Sequence, residues 1–362
     1  MSKIGAVVHG PEIVDLGLAL RLLRYLERLG KVTAVLGGTM GRVAIIDAGA
    51  EKEIRISSSR RPSRSLMDLQ DSSDILFLIN YAKSQESGLA FATKVADAAA
   101  LTKPLICIDC GGRFVGFVVG LDAEGTDDLA TKISQQVSRD LGLKLIKLPP
   151  SSKPAFEKGS TKRILAGVQP GELISINGTV VARALESSVE IESRAGRIVG
   201  IKGVQPKEQA LEKLPPVNLA EAIIRSGSIR RTKVRPDNRE CKGNRIAFID
   251  HSAEDAFELA EDACLAVTIG DDTTAVAADI LFRLGVSVIG IVDGDLDQLM
   301  NGTAMKKGSA VIKVSPGKDD VVGGKLKKII ALERAGDTLD ADKLIELILR
   351  LAGNDLISLD RY

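Results

Sequence analysis

Twice along this chain, short runs of aliphatic and β-branched residues alternate with stretches whose apolar positions recur every three or four residues. That alternation restricts the fold to parallel sheets covered by helices. In residues 1–150, Ile4 to Val8 reads as the first strand and Val32 to Leu36 as the second. Between them Leu16, Ala19, Leu20, Leu23 and Leu26 share helical spacing and stop at Gly30, which predicts one amphipathic crossover helix. Further strand-like runs are Glu53 to Ile56, Ile75 to Ile79, Leu105 to Ile108 and Leu143 to Leu148, with helices expected near 86–102 and 126–141.

The run Pro149-Pro150-Ser151-Ser152-Lys153-Pro154 can continue neither a helix nor a central strand and marks a linker. From Arg163 to Gly203 short alternating strands take over. Asn177-Gly178 and Ala195-Gly196 sit at hairpin turns, which predicts a small antiparallel meander. A short helix is expected from Leu219 to Ile224, followed by a basic connector to Arg245. Strands then return at Ile246 to Ile249, Leu265 to Ile269, Val286 to Val292 and Ala310 to Val314. Helices are expected near 253–260, 273–284 and 319–331, with a last one around 341–351. The fold class is therefore α/β: two doubly wound, Rossmann-like sheet units with a small antiparallel β segment between them. The expected domains are 1–150 (Rossmann-like), 160–205 (β meander), 206–245 (basic connector) and 246–362 (second α/β domain).

Composition removes several classes of function. With 49 Lys and Arg against 48 Asp and Glu, no global field draws the chain to nucleic acid or an acidic membrane. The longest apolar stretches, Phe114 to Leu121 and Leu284 to Val292, are too short to span a bilayer. The opening Met1-Ser2-Lys3-Ile4-Gly5 leads directly into a strand, and four cysteines do not make a disulfide framework, so a cytoplasmic location is expected. Aromatic residues make up only 3% of the chain, leaving few platforms for stacked bases.

Chemistry is sought just after the strands, because open parallel sheets bind ligands outside the carboxyl ends of their strands. In the second unit those positions are acidic: Asp250-His251, then Gly270-Asp271-Asp272-Thr273-Thr274, then Asp293-Gly294-Asp295-Leu296-Asp297. Two like charges about 5 Å apart repel by roughly 3 kcal/mol at an effective dielectric near 20. A divalent cation would relieve that, and oxygen ligands suit Mg²⁺ or Mn²⁺. The expected metal ligands are Asp250, Asp271, Asp293 and Asp295. Gly270, Thr273 and Thr274 would seat a phosphate at a helix start. The bland alternative is that Asp272 or Thr273 caps a helix and Asp293-Gly294 is an ordinary turn. His9 and His251, the only histidines, each follow the first strand of a unit and are candidate proton carriers, or else hydrogen-bonded loop histidines. In the first unit Gly37, Gly38, Thr39, Gly41 and Arg42 form a glycine-rich turn that could wrap an anion or be simply tight.

Cys107-Ile108-Asp109-Cys110 has redox spacing but ends a strand instead of opening a helix, so structural cysteines are expected. Basic residues gather at Arg225, Arg230, Arg231, Lys233, Arg235, Arg239, Lys242 and Arg245, and again at Arg55, Arg60, Arg61 and Arg64. Either group could meet RNA or a nucleotide phosphate, or be a solvated surface.

The strings Val8-His9-Gly10-Pro11-Glu12-Ile13-Val14-Asp15, Gly38-Thr39-Met40-Gly41-Arg42, Asp47-Ala48-Gly49, Gly270-Asp271-Asp272-Thr273-Thr274 and Gly290-Ile291-Val292-Asp293-Gly294-Asp295 resemble an uncharacterised archaeal family. That family is known mainly from methane-producing archaea, and the resemblance extends over most of the chain. It implies an archaeal, cytoplasmic protein and transfers no catalytic residue. The turn Asp293 to Asp297 also resembles the acidic turn of Toprim domains, which use a glutamate at an earlier strand end where this chain has Asp250-His251.

The leading expectation is a metal-dependent phosphotransferase or hydrolase acting on a phosphorylated or nucleotide-like small molecule, with His251 moving a proton. The alternatives are a non-catalytic nucleotide or coenzyme sensor and, after it, an RNA-associated protein using the basic connector. No membrane partner is expected, and a homo-oligomer is compatible with all three.

Overall fold

A computed structural model describes residues 2–362 apart from 40, 57–60, 119–125, 149–159, 220–221, 228–239, 242, 244, 295–303 and 333–339. The expected linker Pro149 to Pro154 lies outside the described residues. The chain divides into two compact units. One comprises Met1–Pro170, Ala184–Val204 and Pro216–Ala220; the other comprises Gly171–Arg183, Gln205–Pro215 and Glu221–Tyr362.

In the first unit β1 (Ser2–His9), β2 (Gly30–Gly37), β3 (Ile54–Arg55), β4 (Ile75–Asn80), β5 (Leu105–Asp109), β6 (Phe114–Val118) and β7 (Lys144–Lys147) form one sheet, in the order β3-β2-β1-β4-β5-β6-β7. β1 to β5 are parallel, β6 turns back against β5, and β7 runs parallel to β6. Strand order reverses between β1 and β4, the position where doubly wound sheets open a crevice.

The covering helices are α1 (Glu12–Asp15), α2 (Leu18–Leu26), α3 (Gly41–Asp47), α4 (Pro62–Gln70), α5 (Gln85–Ala99) and α6 (Thr126–Leu141). All of β4 is buried, as a central strand between two helical layers requires. Its Ile75, Phe77 and Ile79 pack with α1, α2 and α3, while Leu76 and Leu78 pack with α4 and α5. The crossover expected as one helix is two: Gly17, at φ 67°, breaks it and resets the phase. Leu16 is consequently 55% exposed, and Ala19, Leu22, Leu23 and Leu26 carry the buried face.

The middle of the chain supplies β8 (Ser160–Ala166), β9 (Leu173–Ile176), β10 (Thr179–Ala184), β11 (Ser188–Arg194), β12 (Arg197–Lys202), β13 (Val204–Pro206), α7 (Glu208–Lys213) and β14 (Ile224–Gly227). Both hairpin turns form as the sequence indicates, with positive φ at Asn177, Gly178, Ala195 and Gly196. The strands do not build one meander, however. They sort into two sheets, β12-β11-β8 in the first unit and β13-β10-β9-β14 largely in the second. The helix expected at Leu219 to Ile224 is also corrected. Ile224 to Gly227 pair with β9, and Asn177 locks that pairing by donating its N–H to Ile223 O at 2.8 Å and accepting the Ile223 N–H on Oδ1 at 2.9 Å. Cross-strand partners override a weak local preference.

The second unit's main sheet contains β15 (Arg245–Asp250), β16 (Ala263–Ile269), β17 (Ser287–Val292), β18 (Ala310–Val314) and β19 (Leu356–Arg361), in chain order. The first four are parallel and β19 closes antiparallel on β18. α8 (Ala256–Leu259) and α9 (Asp271–Leu284) cover one face; α10 (Asp319–Leu332) and α11 (Ala341–Ala352) cover the other. Helices thus flank both faces, but strand order never reverses among the described strands. A disulfide joins Cys241 to Cys264 and fastens the approach to β15 onto β16. The sequence had suggested no such bridge.

Candidate functional site

At the carboxyl edge of the second sheet, β15 ends in Asp250 and the chain turns at His251 with φ 54°, a left-handed conformation uncommon for a side-chain-bearing residue. Asp250 Oδ1 accepts from His251 Nδ1 at 2.7 Å. That bond fixes the ring and turns Nε2 toward Asp320 Oδ1, 3.5 Å away. Asp320 stands in the first turn of α10. α10 comes close because Gly323 faces β16: a side chain there would collide with Ile269. One ligand atom from each of Asp250, His251 and Asp320 falls within 4.8 Å of the others. Lys327 Nζ lies 4.0 Å from Asp250 Oδ2 and balances part of the charge.

The remaining acids of this edge hold loops. Asp271 Oδ2 accepts from the N–H groups of Asp293 and Gly294, both at 3.1 Å. Asp293 Oδ2 accepts from Gly317 N–H at 2.7 Å. Asp272 Oδ2 is paired with Lys207 Nζ at 2.8 Å. The structure therefore brings Asp250 and His251 together with Asp320, not with Asp271 and Asp293; Asp295 lies outside the described residues. Asp320 was missed although it follows the same rule, since Asp319-Asp320 opens the helix after β18.

Of the proposed phosphate seat, Gly270 has φ 95° and directs its N–H to Ile291 O at 3.0 Å. Thr274 is fully buried and shares a 2.8 Å hydrogen bond with Thr268. It also packs where any side chain at position 290 would collide, which accounts for Gly290 in a central strand. Thr273 is likewise buried. With Asp271 and Asp272 occupying the first turn of α9, the helix dipole already faces two carboxylates, so a bare anion is disfavoured.

In the first unit His9 closes β1. Its Nδ1–H donates to Gly37 O at 2.9 Å, and its ring stacks on Phe91 of α5 with centroids 4.4 Å apart. Gly37 has no room for a side chain, because a Cβ would lie 2.6 Å from Val7 Cγ1 and 3.0 Å from Pro62 Cα. Gly38 is left-handed at φ 92°, beside the His9 ring, and Gly41 is pressed against Leu36. Thr39 O accepts the Arg42 N–H at 3.2 Å, and the Arg42 side chain is buried in α3 instead of presented at the turn.

Sequence reasoning overlooked Asp109, 2% exposed, whose carboxylate accepts from Asn80 Nδ2 at 2.7 Å, Ala82 N–H at 3.0 Å and Gly112 N–H at 2.6 Å. Burial, reinforced by Asp109, pushes the Cys107 thiol well up and raises that of Cys110 to about 11. Neither thiol is activated, as structural cysteines require. Of the basic connector, Arg230, Arg231, Lys233, Arg235, Arg239 and Lys242 lie outside the described residues, as does Arg60. Arg245 donates to Leu259 O and Glu261 O, an edge-fastening role.

Two sheets with helices on both faces, joined by strands that cross between units, define a two-unit α/β protein. The chain belongs to a family of uncharacterised proteins conserved in archaea (DUF2117), whose model matches residues 6–334. It is similar to an uncharacterised protein of Methanocaldococcus jannaschii, 38% identical over 337 residues covering 92% of each chain. The likeness of the Asp293 turn to Toprim domains rests on sequence alone, since Asp295 and Asp297 lie outside the described residues. No helix among the described residues is long and apolar enough to cross a membrane.

Proposed function

We propose that the protein is a divalent-cation-dependent enzyme of the cytoplasm that acts on a phosphorylated or nucleotide-like small molecule by phosphoryl transfer or hydrolysis. What supports the reading is the convergence of Asp250, His251 and Asp320, with ligand atoms within 4.8 Å of one another at a sheet edge. A carboxylate accepting from one imidazole nitrogen, so that the other nitrogen faces the metal, is how proteins orient a metal-bound histidine. Asp320 and His251 Nε2 would then hold the cation while Asp250 orients the ring. An imidazole among the donors favours Mn²⁺ over Mg²⁺. A cation held by these residues would supply a Lewis acid for a substrate phosphate, so this acidic edge would receive a phosphate with its counter-ion rather than alone.

Calorimetric titration of the full chain with Mn²⁺ tests the reading. Binding of one ion, weakened at least tenfold in both His251→Ala and Asp320→Asn, is the expected result. No binding by the wild type, or undiminished binding by both variants, overturns it. Turnover of phosphorylated compounds in Mn²⁺, abolished by chelator, separates an enzyme from a sensor that gains stability without releasing product.

A further inference from the structure

The edge strand of a sheet offers a row of unpaired N–H and C=O groups to any strand that reaches it, and proteins usually blunt such edges. Here β3 is two residues long, β7 carries Lys144 and Lys147 at its ends, β13 ends in Pro206, and β15 opens on Arg245 with a register shift. β19 is treated differently. It closes the five-stranded sheet of the second unit, and no described strand pairs with its outer side. Six residues long, it carries Leu356 and Ile357 at one end and is followed by Tyr362 at the other; these are 38%, 55% and 52% exposed. They are three of the eight large hydrophobic residues that stand exposed among the described residues, gathered on one edge.

The backbone of Tyr362 is turned toward β18: its N–H donates to Ser309 O and its C=O accepts from Gly308 N–H, both at 2.9 Å. Alternation along an antiparallel strand then turns Asp360 and Ser358 inward and leaves the N–H and C=O of Leu359 and Arg361 facing out. The one irregularity in the pairing, between Lys313 and Val314, falls at the Leu356–Ile357 end. Leu359 packs against the cluster that includes Leu344, Ile345 and Ile348 of α11. Arg361 stands on the same side of the strand, where its Nη1 donates to Asp342 Oδ1 of α11 at 2.6 Å.

Residues 356–362 are complementary to themselves when run antiparallel about Leu359. Leu356 then meets Tyr362, Ile357 meets the aliphatic stem of Arg361, Ser358 meets Asp360, and Leu359 meets its own copy. Each exposed apolar side chain gains an apolar surface, the Asp360 carboxylate gains a hydroxyl, and no like charges oppose one another. Centring the pair two residues later opposes Arg361 to itself, and two residues earlier sends Arg361 past the strand, opposite Gly353. We propose that a second copy of this chain docks antiparallel on β19 about a two-fold axis at Leu359, joining two five-stranded sheets into one of ten strands. Such an isologous contact closes on itself and consumes the β19 edge of both copies. It lies at the opposite end of the sheet from β15 and Asp250, so it does not rest on the cation reading.

Sedimentation equilibrium of the full chain across the micromolar range tests the proposal. The wild type is expected to sediment as a dimer, and Ile357→Lys, which sets an ammonium against Arg361 of the second copy, should weaken dimerisation about tenfold. Position 358 reads the register: Ser358→Asp opposes Asp360 and should weaken the dimer about fivefold, whereas Ser358→Lys should tighten it by a similar factor. Opposite signs at one position separate a contact across the interface from a loss of folding, which circular dichroism checks for each variant. A monomeric wild type, which would leave the edge to a strand from another protein, overturns the proposal. So does a dimer unmoved by Ile357→Lys, or a shift of the same sign in both Ser358 variants.

Discussion

At the carboxyl edge of the first sheet, Asp109 is buried and gathers three donors from the turns after β4 and β5. At the corresponding edge of the second sheet, Asp271 and Asp293 gather the amides of Asp293, Gly294 and Gly317 while remaining partly exposed. Both edges use carboxylates to satisfy loop N–H groups that no strand partner reaches. An aspartate after a strand is therefore, first, a loop tie. What distinguishes Asp250 and Asp320 is that they address an imidazole instead of an amide.

The largest expected effect tests the first tie. Asp109→Ala strands three donors in a buried site and should cost about 3 kcal/mol in urea unfolding; a loss below about 1 kcal/mol would dissolve the contrast between buried and exposed ties. Next comes the cation. Mn²⁺ at a hundred times its dissociation constant should stabilise the second unit by about 2.7 kcal/mol, and His251→Ala should abolish that gain in thermal melts. Asp293→Ala should cost only about 1 kcal/mol, because at a half-open site water can take over the Gly317 N–H that its carboxylate holds.

The smallest effects concern pH. With its thiol near 11, Cys110 should react with iodoacetamide at pH 8 about a hundredfold more slowly than an open thiol, and Asp109→Asn should speed it a few-fold by removing a repelling charge. Cys107, Cys110 and Tyr25 all have raised proton affinities in the folded state, the last through burial and its hydrogen bond to Asp140. The unfolded thiols release protons first, so folding stability should fall as pH climbs from about 9 toward 11. Unchanged urea midpoints between pH 8 and 10.5 would contradict this.

The buried parallel strands were legible because they are written as uninterrupted runs such as Ile75 to Ile79 and Val286 to Val292, whereas β6 and β19, which pair antiparallel with β5 and β18, were not expected. Turns with positive φ, such as Asn177-Gly178, were equally plain. What the sequence concealed was pairing. Nothing local says that β9 and β10 leave β8 and β11 for another sheet, or that Ile224 to Gly227 extend along β9. At the candidate site the strand-end rule found Asp250 and His251 but passed over Asp320, whose position depends on Gly323 letting a helix approach. It ranked Asp271 and Asp293 equally with Asp250, because a carboxylate that ties amides and one that orients an imidazole read alike in a sequence.

The interleaving of the two units governs how the chain emerges from the ribosome. Every stretch of the first unit has been made by Ala220, so its sheet can close early. The hairpin of β9 and β10 is made before that point but waits for β14 on one side, and the rest of its unit runs to Tyr362. For the roughly 40 residues of synthesis between Ala184 and Gly227, at roughly 5–20 residues per second, the β9 edge is therefore left open for several seconds. Neither unit can be cut out as one continuous stretch of gene, so any attempt to isolate one must splice segments or retain the whole chain.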